Sequence, residues 1–202
     1  ELTNKLLNYS TYKTNQDKNW DIKEDLIQIS QQLFKGQKFL FIKKLVSSNL
    51  IKKLQENLLI KIQIFEKQIS DHYKILTQII DDIPDTVFPY KAVPTYVRKL
   101  QSPPYKDIRI SRSHNKRIYH ANENNFWVKK NIDLDIKNRI EKILPDLSIK
   151  FNDLINFLNQ QHAVYLFQKS CYNSLFSVSV LAKINQKIEN IKREKNIVHI
   201  SE

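Results

Sequence analysis

One glycine, one cysteine and no methionine occur among the 202 residues of this chain. The single glycine, Gly36, excludes more than any residue that is present. Phosphate-cradling loops and dinucleotide folds place several glycines where backbone must approach a ligand, and one glycine cannot build either. A serine nucleophile elbow fails for the same reason. Scarce glycine also disfavours tight-turned β architectures and leaves long helices as the expectation. Cys171 has no partner for an internal disulfide, which fits a reducing, intracellular compartment. In its apolar, helix-patterned surroundings it reads as a buried thiol rather than a nucleophile. No run of 18 apolar residues is present, so no transmembrane helix is expected. The chain opens on Glu1 and reads as trimmed, which leaves targeting signals unassigned. No carboxylate pair falls in an acid/base arrangement, so the residues nominate no catalytic group, no cofactor and no metal.

What the chain does carry is positive charge, to a formal +12 with a pI near 9.6. That excess points to an acidic partner. Abundant Ile, Lys and Asn would follow from A/T-rich coding, so part of the lysine surplus reads as a solvated face. The arginines resist that explanation. Arg98, Arg109, Arg112 and Arg117 are four of only six in the chain and fall within one stretch of twenty residues. Residues 91–130 hold ten basic side chains against Asp107 and Glu123, with Tyr96, Tyr105, Tyr119, Phe126 and Trp127 between them. Cations interleaved with aromatics can grip a phosphate backbone and stack on bases. Arg98, Lys99, Arg109, Arg112, Lys116 and Arg117 are therefore the candidate phosphate contacts, and Tyr105, Tyr119 and Trp127 the candidate stacking rings.

Hydrophobic periodicity organises the remainder. Residues 1–21 form a polar arm. Leu26, Ile29 and Leu33 space an amphipathic helix over 22–35, which Gly36 is placed to end. Ile51, Leu54, Leu58, Ile62, Phe65, Ile69, Leu76, Ile80 and Ile83 form one continuous stripe, with Tyr73 filling its gap. The spacing predicts one long helix, with Ser48 or Asn49 as N-cap and a single buried side that needs partner helices. Five of the six prolines (Pro84, Pro89, Pro94, Pro103 and Pro104) predict an extended, non-helical connector over 84–105. Alternation around Ile108 and Ile110, with Ser113-His114-Asn115 as a turn, suggests a small β-hairpin. Leu134, Ile140, Ile143 and Leu144 predict a short helix closed by Pro145. Phe151, Leu154, Ile155, Leu158, His162 and Tyr165 predict a second, in which His162 is a satisfied core histidine. Leu181, Ile184, Ile188, Ile191 and Val198 predict a third with a heptad-like seam. The expectation is a mainly α protein: a helical bundle built around one long helix. Its expected parts are an arm at 1–21, a helical hairpin at 22–83, an extended Pro-rich basic excursion at 84–130, and helices at 131–202 packing on 22–83.

The acidic corner Asp81-Asp82-Ile83-Pro84-Asp85 ends the long helix, where negative charge opposes the macrodipole. A positive group from the start of 91–100 is expected to offset it. No neighbouring His or Glu completes a metal site there. His114 and His120 make a poor zinc pair amid cations, since zinc takes four N or S ligands. His72, beside Asp71, is expected at the surface or at a packing edge.

Arg109 and His114 have the spacing Arg-x4-His, which resembles the short motif of the HEPN ribonuclease superfamily. That resemblance implies a helical protein that cuts RNA with Arg109 and His114. In that family the motif lies on a helix, usually with a polar residue after the arginine, whereas Ile110 follows Arg109 here. The plainer reading makes His114 a turn residue and Arg109 a phosphate or carboxylate contact. The expectation for function is a non-catalytic helical subunit of a larger assembly that contacts nucleic acid through 91–130. The alternatives are a protein scaffold, with partners on the long helix and the heptad seam, and the ribonuclease.

Overall fold

Two long helices take up most of the chain whose placement is defined. The computed structural model describes Glu24, Ile27 and residues 49–194. In chain order the elements are α1 (Leu50–Ile80), two 3-10 turns (Asp85–Val87 and Pro89–Lys91), α2 (Ala92–Lys99), α3 (Lys116–Glu123) and α4 (Leu134–Glu194). No strand occurs among the described residues. Glu24 and Ile27 are helical, as the 22–35 spacing requires. The rest of that segment, the 1–21 arm, Gly36, Ser48 and Val198 lie outside the described residues. No helix among the described residues is long and apolar enough to cross a membrane.

The chain divides into two units, one of Glu1–Ile60 with Gln168–Glu202 and one of Lys61–Phe167. In the first unit Ile51, Ser177, Ser179, Val180 and Ala182 are buried, and Tyr172 meets Phe176 edge to face at 5.1 Å. Cys171 is half-buried. Leu54, placed on the stripe by its spacing, is exposed, as are Ile188 and Ile191 of the expected seam.

The second unit holds the whole basic segment. Ile62, Phe65, Ile69 and Leu76 of α1 are buried, and so are Phe151, Leu154, Leu158, His162 and Tyr165 of α4, as their spacings predict. The two stripes meet through rings: Phe65 stacks on Tyr165 at 4.2 Å and on Phe157 at 5.3 Å. The Tyr165 hydroxyl donates to Glu66 Oε1 at 2.9 Å. Burial, then the Glu66 carboxylate, holds that phenol well above its ordinary value. His162 is a core histidine whose Nε2 donates to the Tyr105 carbonyl at 2.7 Å.

His72 sits at a packing edge, its ring 5.4 Å from Phe157. Burial lowers its pKa below 6.5, against Asp153 and Asp71, which raise it, and with Lys150, which lowers it further. The folded state therefore binds this proton less readily than the unfolded chain. Its contribution is intact above pH 6.5 and is lost as pH falls through the lowered value. The midpoint of thermal unfolding is expected to fall between pH 7 and pH 5, and His72→Gln to flatten that fall; parallel pH profiles would contradict it.

Three expectations are corrected. Residues 84–130 are not an extended excursion, because they contain α2, α3 and both 3-10 turns. Pro94 does not prevent α2. It stands in the first turn, where a missing N–H costs no intrahelical bond. Val93, Tyr96, Val97 and Leu100 then give α2 a buried face. The β-hairpin is absent. Ile108 and Ile110 are buried and Arg109 exposed, so the alternation is real, but no strand pairs with it. The turn does form, with Ser111 N–H donating to the His114 carbonyl at 2.8 Å. Pro145 does not close a helix either, since it lies inside the continuous α4.

Candidate nucleic-acid interface

Asn115 is the hub that joins the basic segment to α2. It adopts φ 47°, a left-handed conformation that Asn tolerates better than most residues. Its side-chain amide donates to the carbonyls of Asp107 and Arg109, both at 2.8 Å. Its Oδ1 accepts from Lys99 Nζ at 2.7 Å. One side chain thus takes the place of the missing ladder and fixes the 107–115 loop. The Tyr96 hydroxyl donates to the Ile108 carbonyl and ties the same loop down from below. Asn115→Ala removes three hydrogen bonds and is expected to cost about 2–3 kcal/mol in denaturant unfolding. Asn115→Gly should recover only the backbone part; an unchanged midpoint in Asn115→Ala would contradict the hub.

Between α2 and α3 lies a groove of about 370 Å³, lined by Tyr90, Thr95, Lys99, Ser113, Lys116 and Arg117 among others. Three of its lining groups are cationic and none is a carboxylate. Arg98 lies outside it, in an ion pair with Asp85. The acidic corner is therefore offset from α2, as its charge required. Arg112 Nε donates to the Tyr119 hydroxyl at 3.3 Å. Arg109 and Lys116 are exposed.

The rings are sorted differently from their expected roles. Tyr105 and Trp127 are buried, so neither ring is offered to a base. Tyr105 lies 6.4 Å from Tyr165, and Trp127 lies 4.9 Å from Phe151. Tyr119 is half-buried and sits edge-on to His120. Within residues 89–127 the exposed aromatics are Tyr90, at 76%, and Phe126, at 45%. Neither is among the rings expected to stack: Tyr90 precedes the 91–130 segment, and the Asn124-Asn125 pair before Phe126 is the local sequence signal for its position.

Tyr90 stands on strained backbone. Tyr90 and Lys91 have φ values of 54° and 52°, consecutive left-handed residues of which neither is glycine. Such positions cost on the order of 1–3 kcal/mol each and cluster at ligand sites. The Arg117 guanidinium lies over the Tyr90 ring, 4.4 Å from its centroid, in a cation-π contact.

Phe126 is placed by the end of α3. Asn125 is left-handed at φ 49°, and Phe126 N–H donates to the Ala121 carbonyl at 2.9 Å. That pairing is a Schellman cap with Asn where glycine is usual, and it folds the residue after the cap back onto the helix. Phe126 and Ala121 then line a second cavity of about 330 Å³, together with Val93, His120 and Trp127. The two cavities share Tyr90, Ala92 and Arg117 as a common wall. The Trp127 Nε1–H is buried and has no hydrogen-bond acceptor.

Comparison with protein-family models, curated proteins and solved structures finds no match, so the chain's own geometry carries the functional reading. The Arg109/His114 motif lies on non-helical chain. His114 Nδ1 is paired with the Ser113 hydroxyl at 2.9 Å and lies 3.3 Å from that of Ser111. The helical setting of the ribonuclease motif is therefore missing.

Proposed function

We propose that the 89–127 region binds single-stranded nucleic acid without cleaving it, as part of a larger assembly. Lys99, Lys116 and Arg117 contact phosphates along the groove, and Tyr90 offers a ring for a base. Arg109 and Arg112, exposed on the adjoining loop, extend the positive surface. One observation carries this reading: a cationic groove free of carboxylates runs beside an exposed aromatic on strained backbone. A positive groove tracks the phosphodiester chain, while ring stacking tolerates any base and requires it unpaired.

A scaffold role is favoured by a different observation. Ile64, Val164 and Phe167 are exposed apolar residues on α1 and α4. Such residues suit contacts with protein partners. The two readings are compatible, because the groove and these side chains are separate features.

Fluorescence anisotropy with labelled single-stranded RNA, single-stranded DNA and duplex DNA tests the proposal. The single strands are expected to bind more tightly than the duplex, and both strands to remain uncut. Failure of both single strands to bind at low salt would overturn it.

A further inference from the structure

Resting on that reading, we infer that the 330 Å³ cavity beyond the Tyr90–Arg117 wall takes one unpaired base of the bound strand. The cavity is within the range of pockets that hold a small ring system. Its walls are largely apolar, with the Phe126 ring at one side and Trp127 behind. No carboxylate lines it, and it shares Arg117 with the phosphate groove. A nucleotide seated across the shared wall has its phosphate among Lys99, Lys116 and Arg117 and its base beside Phe126.

A further feature suits a planar occupant with hydrogen-bonding edges. His120 and Asn124, both exposed side chains that line the cavity, offer further polar contacts to a base edge. Phosphate contacts position a strand but carry no sequence information, whereas contacts to a base edge do. The cavity therefore adds a base-dependent share of the affinity, and any base preference, to the base-independent share that the groove supplies.

The experiment compares two single strands of equal length on the full chain, one with natural bases and one fully abasic. The natural strand is expected to bind about tenfold more tightly. Phe126→Ala removes an exposed ring and leaves the core intact, and it is expected to cut that ratio by at least half while affinity for the abasic strand stays unchanged. Ala121→Leu, which fills the cavity, is expected to do the same and serves as the second variant. Equal binding of natural and abasic strands by the unmodified chain would overturn the base cavity and leave the phosphate groove standing. A preserved ratio in folded Phe126→Ala would also overturn it and assign the stacking to Tyr90 alone. No binding of either strand would overturn the underlying reading.

Discussion

Trp127→Ala is expected to lower the free energy of unfolding by about 3–5 kcal/mol, the loss associated with truncating a fully buried aromatic. Trp127 is 0% exposed and packs on Phe151, itself 0% exposed, at 4.9 Å. The Lys129 N–H bond to the Val87 carbonyl, at 3.0 Å, holds the same stretch of chain against the 3-10 turn. For a chain of this length the loss corresponds to a fall in Tm of about 10 °C. Trp127→Phe should cost far less. It keeps an aromatic against Phe151 and removes an indole N–H whose burial without an acceptor costs about 1–3 kcal/mol. A Trp127→Ala protein that melts within about 2 °C of the parent would show that this ring is not part of the core.

The second large effect is on binding. A triple variant, Lys99→Ala, Lys116→Ala and Arg117→Ala, is expected to weaken single-strand binding at 100 mM salt by on the order of 100-fold. Each lost phosphate contact also removes released counterions, so the dependence of log K on log salt should become shallower by about 2 for three contacts. The three side chains are exposed, so Tm should move little apart from the lost Lys99–Asn115 bond and Arg117–Tyr90 contact. A second triple variant, Lys67→Ala, Lys137→Ala and Lys142→Ala, is the matched control, since it removes three exposed cations that lie outside the groove. Equal loss in the control would mean that net charge alone, and not the groove, attracts the strand.

Much of the scaffold was legible because helical spacing reports burial directly. The stripe from Ile62 to Leu76 and the one from Phe151 to Tyr165 are buried where their periods put them. His162 could be read as a core histidine because it sits in phase with Leu154 and Leu158. The basic segment was legible as a charge cluster but not as a shape. Proline density suggested an extended chain, yet Pro94 falls where a helix tolerates it. Alternation at 107–111 implied a strand, yet the bonds that a partner strand would make come from the Asn115 side chain. Composition also could not sort the aromatics. Trp127 is buried by Phe151, 24 residues away in sequence, and Tyr105 by Tyr165, 60 residues away, and no local pattern encodes those meetings. Tyr90 is exposed on two consecutive left-handed residues, a backbone that non-glycine side chains rarely signal. Phe126 was more readable, since Asn124-Asn125 marks a helix end that turns the next residue back.

Phosphate binding in the groove between α2 and α3 is the proposal on which the others depend. The most direct test is a salt series for a labelled single-stranded oligonucleotide on the full chain, run beside the triple groove variant. Log K is expected to fall linearly with log salt, with a slope of about −2 or steeper, and the variant to be visibly shallower. Binding that does not respond to salt, or a variant whose slope equals that of the parent, would contradict it.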